Sequence, residues 1–295
     1  MSIAHDFDYV RASTLAEALE ALGEGGPGAR VLAGGTDMVA WLRDDAVHPD
    51  LLVDIKDVPG LDEITVRDGT LEIGALVTFS RIIDSPLVAE HAPTLVEASH
   101  TVASVGIRNR ATLVGNLCSA VPSLDGGPPL LVHEAALRVA GKDGERSVPI
   151  GEWFSGPRRT VLADGEIALG VSIPAAGEHG GCYLKLSRYR GEDLAQASVA
   201  ALVLPGNRYR VAFGAVGPVA FRAPGIEDHL AGRVLDDEAM DGAKALVDEV
   251  ISPITDVRAS SEYRAHMCRV MLGRALRAAA GRLAGDGPAY GEELL

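Results

Sequence analysis

The sequence predicts a two-domain protein of the α+β class, and three observations carry that reading. The chain has 295 residues, about twice the length of a typical domain, which by itself suits two domains or one large one. Helix-like and strand-like periods interleave as far as about residue 175, and beyond a Pro/Gly-rich break at Pro174–Gly181 strands come first and helices after. Hydrophobic residues make up 47% and charged residues 23%, enough apolar material for a real core and too much for a disordered or collagen-like chain. Lys plus Arg number 27 against 41 Asp plus Glu, a net charge of −14, which argues against nucleic acid as a partner because a phosphate backbone needs a concentrated basic face.

The elements follow in order. Leu15, Leu19 and Leu22 fall at helical spacing, with Ser13 or Thr14 available as a cap. Gly23 to Gly28 then matches the G-x-G-x-x-G dinucleotide fingerprint in form only. A working fingerprint follows a strand and opens a helix, whereas this one follows a helix, precedes the strand-like Arg30–Ala33 and contains Pro27. Gly34-Gly35-Thr36-Asp37, by contrast, leads from that strand into a helix over Met38–Arg43 and has the right polarity. It is either an anion cradle of free N–H groups at a helix N-terminus or a tight turn capped by Thr36 or Asp37. Leu51–Ile55 reads as a buried strand, making residues 30–55 a βαβ-like unit. Leu61–Thr78 reads as strands around an Asp68-Gly69 turn.

Ser99 to Leu131 reads as a long stretch poor in regular structure. It contains Thr112-Leu113-Val114-Gly115-Asn116, Ser119 and Asp125, and its low charge suits contact with a neutral or phosphorylated ligand; Asn116 and Asp125 also read as plain turn formers. Arg108, Arg110, Arg158 and Arg159 are either one phosphate-holding cluster or solvated surface charge. Past the break, Gly181–Arg190 and Ala197–Leu204 read as strands, the second joined through Pro205-Gly206-Asn207 to Tyr209–Val216 as a hairpin. Residues 237–251 and 259–284 carry helical periodicity, the latter with Tyr263, Met267, Val270, Met271 and Leu276 near one face. Gly285–Leu295 reads as a frayed tail.

Cys118, Cys182 and Cys268 are isolated, with no C-x-x-C pair and no His at ligand spacing, so the sequence predicts no zinc or iron–sulfur site on this chain. No G-x-S-x-G or H-x-x-x-H pattern offers a hydrolytic centre. The first residues lack a basic and apolar leader, and no apolar run reaches the ~18 residues of a membrane span, so the expectation is a cytoplasmic, non-membrane protein.

Leu32–Asp37, Leu51–Ile55, Leu71–Ala75, Val105–Thr112, Gly115–Leu117, Gly156–Thr160, Tyr183–Arg188 and Asp256–Ser260, in this order, closely resemble the FAD-binding subunit of the molybdenum hydroxylases, the family of bacterial xanthine dehydrogenase and aerobic carbon monoxide dehydrogenase. The resemblance covers nearly the whole chain. It implies a two-lobed FAD-binding domain of the vanillyl-alcohol-oxidase-like type over residues 1–175 (lobes of about 1–56 and 57–175), an antiparallel sheet with helices over 178–284, and a tail over 285–295. It places non-covalent FAD against Val31, Leu32, Ala33, Gly34, Gly35, Thr36, Asp37 and Met38, and against Thr112, Leu113, Val114, Gly115 and Asn116. Single contacts fall at Val102, Asp125, Ala168 or Leu169, and Lys185, with Ser119 in the same loop. In that reading Asp125 binds a sugar hydroxyl and Lys185 stabilises charge on reduced flavin.

The resemblance further implies a molybdopterin-binding large subunit and a 2Fe-2S small subunit as partners, a dimer of heterotrimers, and an external acceptor: NAD, quinone or oxygen. Cys118–Leu131 and Val148–Leu162 are more similar to the xanthine-dehydrogenase branch. The branch resembling 4-hydroxybenzoyl-CoA reductase carries a further cysteine-ligated cluster, which three isolated cysteines disfavour. One departure stands out. Val114 occupies a position where relatives carry glycine, and a left-handed backbone there would cost roughly 1 kcal/mol or more. That departure motivates a non-catalytic assembly subunit with a decayed flavin site as one alternative. A stand-alone flavin oxidase of the same fold is the other, with Cys118 the one thiol near the glycine loops.

Overall fold

A computed structural model of the chain describes residues 3, 5–189 and 193–295. The first lobe comprises β1 (Asp8–Arg11), α1 (Leu15–Gly25), β2 (Ala29–Leu32), α2 (Thr36–Arg43) and β3 (Leu51–Asp54). Its three strands form a parallel sheet in the order β1-β3-β2, so the predicted βαβ unit is present. Thr14 caps α1 through its side chain, and a single 3₁₀ turn over Gly26–Gly28 separates α1 from β2. The glycine-rich run is therefore a helix exit, as its order relative to helix and strand required.

The second lobe follows with β4 (Ile64–Arg67), β5 (Thr70–Gly74), α3 (Phe79–Ile83), α4 (Pro86–His91), α5 (Pro93–His100), α6 (Val105–Arg108), α7 (Leu113–Ser119) and α8 (Gly127–Val132). It closes with β6 (Ala136–Gly141), β7 (Gly144–Pro149), α9 (Ile150–Trp153), β8 (Phe154–Gly156), β9 (Arg159–Thr160) and β10 (Ile167–Ile173). Five strands form an antiparallel sheet, β4-β5-β10-β6-β7. Asp68 and Gly69, both at positive φ, make the predicted hairpin turn between β4 and β5. Ser99–Leu131 corrects the sequence reading, since three short helices occupy what reads as an irregular loop. Each is too short to show a 3.6-residue period.

The last part contains β11 (Gly180–Leu186), β12 (Ala197–Leu204), β13 (Arg208–Gly214), β14 (Phe221–Arg222), α10 (Pro224–Leu230), α11 (Asp237–Ala245), α12 (Val247–Val250) and α13 (Ser261–Ala284). Its sheet runs β11-β12-β13-β14, all antiparallel. Arg190, where the sequence placed the end of a strand, lies outside the described residues; β11 stops at Leu186. Every residue of β12 is buried because both faces of the sheet are covered. Ala200 and Leu202 pack into the core of the first two lobes, and Val199, Ala201 and Val203 into a second core with α13.

Two further expectations are corrected. The buried face of α13 is Arg264, Cys268, Met271, Leu272, Ala275, Leu276 and Ala279, while Tyr263 is exposed and Met267 and Val270 lie at the margin. The buried Arg264 belongs there because it donates to Asp256 at 2.7 Å and to the Gln196 carbonyl at 2.6 Å. The tail is docked rather than frayed: the Tyr290 hydroxyl accepts from the Gly181 N–H at 3.1 Å, and the Gly291 N–H donates to Glu97 Oε1 at 3.1 Å.

Candidate functional site

A cleft of about 720 Å³ opens between the two lobes and reaches the edge of the third sheet, a size suited to an organic cofactor. Its first wall is the turn from β2 to α2. Gly35 sits in the left-handed region (φ 76°) as the N-cap of α2 and offers no side chain to the first-turn N–H groups, so these face the cleft uncapped. The capped-turn reading of the motif is corrected: neither Thr36 nor Asp37 is the cap, since both lie inside the helix. Gly34 is required for a different reason. A Cβ there would stand 1.9 Å from the Arg110 carbonyl oxygen, so the missing side chain lets the two lobes meet.

The second wall is the start of α7. Thr112 caps it by accepting the Gly115 N–H at 3.0 Å, and Asn116 Oδ1 accepts the Gly126 N–H at 3.2 Å. The expected second glycine loop is therefore a capped helix N-terminus, and Asn116 is helical rather than a turn former. Val114 is buried in this helix and is absent from the positive-φ residues, which removes the expected strain and with it the ground for a decayed site. Ser119 Oγ donates to the Asp37 carboxylate, linking α7 to α2 across the cleft.

The third wall comes from β11. The Lys185 ammonium donates to Asp125 Oδ2 at 2.9 Å and to the Thr101 carbonyl at 2.8 Å. Tyr183 donates to Asp125 Oδ1 at 2.8 Å. Asp125 is thus neither a turn former nor a free carboxylate. Burial raises its pKa, and the charge and hydrogen bond of Lys185 and the Tyr183 hydroxyl pull it back.

Val31, Ala33, Gly34, Gly35, Thr36, Asp37, Met38, Val102, Thr112, Val114, Gly115, Asn116, Ser119, Asp125, Ala168 and Lys185 all line the cleft. Leu113 and Leu169 turn into the core, and Leu32 lies off the lining. Sequence reasoning missed the apolar floor of Ile55, Ala75 and Phe79, whose spacing signals only core, and missed Trp41, over which the Arg158 guanidinium stacks at 5.3 Å. The four arginines do not form one cluster at the cleft: Arg158 and Arg159 line it, whereas Arg108 is turned to the carbonyls of Val102 and Ala103 at 2.8 and 2.6 Å. Cys118 lines the cleft as a half-buried thiol that desolvation pushes up to about 12. The residues present fit a non-covalent dinucleotide: uncapped N–H groups for an anionic pyrophosphate, an apolar floor, and one buried cation.

Away from the cleft, the fold gathers His5, Asp45 and His48, which linear spacing could not reveal, with ligand atoms within 4.8 Å of one another. All three are exposed, and both imidazoles lie 2.9 Å from the same Asp45 oxygen, a hydrogen-bonded grouping that accounts for itself. Among the described residues no helix is long and apolar enough to cross a membrane.

Residues 5–176 match the family described as the FAD-binding domain in molybdopterin dehydrogenase, and residues 182–279 the CO dehydrogenase flavoprotein C-terminal domain. The chain is 32% identical over 286 residues to the xanthine dehydrogenase FAD-binding subunit of Escherichia coli O157:H7, covering 93% of this chain and 98% of that one. It is 30% identical over 282 residues to the carbon monoxide dehydrogenase medium chain of Hydrogenophaga pseudoflava, covering 94% and 98%. A solved carbon monoxide dehydrogenase from Hydrogenophaga pseudoflava superposes with a TM-score of 0.92 at 32% identity, over 96% of this chain and 99% of that chain.

Proposed function

The chain belongs to the family of FAD-binding subunits of the molybdenum hydroxylases, and from that premise we propose that it is the electron-output subunit of such an enzyme. In this reading a large partner binds molybdopterin and oxidises substrate, a small partner relays electrons through 2Fe-2S clusters, and this chain delivers them to an external acceptor. Bound FAD supplies the chemistry of taking up single electrons and releasing a pair.

The chain's own residues bind and orient. The observation that carries the reading is the three-walled cleft, in which the N-terminus of α2, the N-terminus of α7 and the Lys185 ammonium face one space. The first turn of α2 supplies N–H groups for the pyrophosphate, Ile55, Ala75 and Phe79 exclude water, and Lys185, paired with Asp125, brings an ammonium to the wall formed by β11. Neutral N–H groups hold one pyrophosphate without a basic surface, which reconciles the −14 net charge with an anionic cofactor.

We further propose the division into an FAD-binding domain to about residue 175 and a C-terminal domain over 178–284, supported by the separate core built on α13. The same reading makes the assembly a dimer of heterotrimers in the cytoplasm. The similarity of Cys118–Leu131 and Val148–Leu162 supports a xanthine-dehydrogenase-like holoenzyme over a carbon-monoxide-oxidising one. The test is native purification with partner identification, metal analysis and stopped-flow reduction. The complex should release FAD on denaturation, and purine substrate should bleach the flavin after the clusters. A complex without FAD, or one whose flavin stays oxidised while its clusters reduce, would overturn the proposal.

A further inference from the structure

A second groove, of about 810 Å³, adjoins the cleft. It is bounded by the end of α1, by the tip of the β6–β7 hairpin and by Ala163, Asp164, Gly165 and Glu166. These four residues also line the cleft, and among the described residues no others border both spaces. One short segment between β9 and β10 is therefore the partition between two cavities.

The partition is a single turn. The Glu166 N–H donates to the Ala163 carbonyl at 3.1 Å, and Gly165 at the third position is left-handed (φ 82°), where glycine bears no Cβ penalty. Both flanking strands belong to the second lobe, yet the tip reaches the first. A Cβ at Gly165 would meet the Gly23 Cα of α1 at 3.9 Å, and glycine facing glycine buries almost no apolar surface. What holds the turn is on its own lobe. Arg146 of β7 donates through Nε to Glu166 Oε1 at 2.8 Å and through Nη2 to Oε2 at 2.7 Å, and Nη2 also meets the Val161 carbonyl at 3.1 Å. The Arg146 side chain is 42% exposed, so water screens this latch, and it lines the groove but not the cleft. Glu166 Oε2 accepts the Ala163 N–H at 2.8 Å as well, so the turn keeps its shape when the arginine lets go.

We propose that the turn over residues 163–166 is a gate for the dinucleotide. Latched by Arg146, it closes the cleft toward the groove; released, it swings on the ends of β9 and β10 and joins the two spaces into a passage by which the cofactor enters and leaves. The inference rests on the FAD reading above. A wall built only to be rigid would plant an apolar side chain at its tip and anchor itself in a core. This one has a bare glycine contact toward the first lobe and a water-accessible ion pair behind it, the weakly held combination from which lids are made. The groove also carries the exposed carboxylates of Glu20, Glu24, Asp143 and Glu145, which disfavour a lodged pyrophosphate. It is a path and not a second resting site, since the N–H groups that suit the anion stand inside the cleft at α2.

The experiment follows release of bound FAD into excess labelled FAD in the native complex, and re-entry of FAD into the same complex after the flavin is stripped. Arg146→Met removes the latch without touching the cleft, so entry and release should quicken by one common factor, about two- to fivefold for the loss of such an ion pair, with Kd unchanged. Glu166→Gln should act in the same sense. The close approach of Gly23 and Gly165 suits a disulfide, so Gly23→Cys combined with Gly165→Cys supplies the opposite arm. Oxidation of that variant should block exchange in both directions and reduction should restore it, the strain of the substitutions being common to the two forms. Native rates in Arg146→Met, or oxidised and reduced cysteine variants that exchange alike, overturn the gate and leave the FAD reading intact. Faster release with weaker Kd and a native entry rate makes the turn a plain wall against the cofactor, which overturns the gate too. Should the cysteine pair fail to fold, the Arg146→Met rates decide alone. A native complex that takes up no FAD overturns both readings.

Discussion

Glu97 Oε1 lies 2.9 Å from the Arg282 guanidinium, and both side chains are more than nine-tenths buried, so α5 and α13 are joined by an ion pair sealed from water. The same carboxylate accepts the Tyr183 N–H at 2.9 Å and the Gly291 N–H, so it fixes β11 and the tail together. Arg282 in turn donates to the Gly181 carbonyl at 2.6 Å and stacks on Tyr290 at 4.1 Å. One carboxylate therefore holds the third wall of the cleft in place from behind.

Glu97→Ala leaves that guanidinium buried without its anion, a change that costs roughly 3 kcal/mol or more. Urea unfolding should show the loss. Limited proteolysis should release the tail beyond Gly285 before the rest of the chain opens, and a tail as protected as the native one would show that the clasp is not held by Glu97.

Gly34→Ala should be more damaging to FAD content than Gly35→Ala. The first sets a Cβ against a backbone oxygen at 1.9 Å, which no side-chain movement relieves, and it forces the lobes apart. The second meets side-chain atoms alone, Leu32 Cδ1 at 3.2 Å and Val39 Cγ2 at 3.7 Å, and bears left-handed strain of roughly 1–2 kcal/mol. Flavin-to-protein ratios of the two purified variants check the order, and equal retention would mean that lobe contact does not govern the cleft.

Much of this architecture is legible in the chain because local signals agree with it. Gly34-Gly35 before an amphipathic helix, the Asp68-Gly69 turn and the uninterrupted apolar run of β12 each have one good structural solution. The helices between Ser99 and Leu131 are not legible for a physical reason: α6, α7 and α8 have 4, 7 and 6 residues, two turns at most, and Pro128 and Pro129 lie in the first turn of the last. Nor could spacing show that Tyr183 and Asp125, 58 residues apart, share a hydrogen bond; only packing of β11 against the second lobe brings them together. The resemblance places residues along the cleft, whereas the engagement of Asp125 with Lys185 belongs to tertiary structure.

Val114→Gly tests how the second wall works. If the native backbone were strained, glycine would tighten FAD binding. Val114 is helical and 3% exposed, so the substitution instead gives up ~1.5–3 kcal/mol of burial and adds helix entropy. The expected result is a lower thermal midpoint with FAD affinity no better than native. Tighter binding would return the argument to backbone strain.

The acid response of stability should be set first by His133. Its ring is 1% exposed, with Nε2 2.8 Å from Thr94 Oγ1, and desolvation, reinforced by His179 and Arg210, lowers its pKa to about 3. The unfolded imidazole titrates near 6.5, so between these values the unfolded chain carries the proton and the folded chain does not. Stability is thus complete above pH ~6.5 and falls as pH drops through the window, with a slope approaching ~1.4 kcal/mol per pH unit. Asp256 acts later. Burial pushes it up, but the backbone N–H groups of Arg258 and Ala259 and the guanidinium groups of Arg258 and Arg264 hold it well below the usual carboxylate range, so its contribution is lost only below an unfolded value of about 3.8. Urea midpoints between about pH 5 and 7.5 therefore test the histidine clear of Asp256, with the raised Asp125 carboxyl acting in the opposite sense. His133→Gln, which keeps a polar group beside Thr94, should flatten the dependence in that interval, and a native slope in the variant would assign the proton uptake to another group.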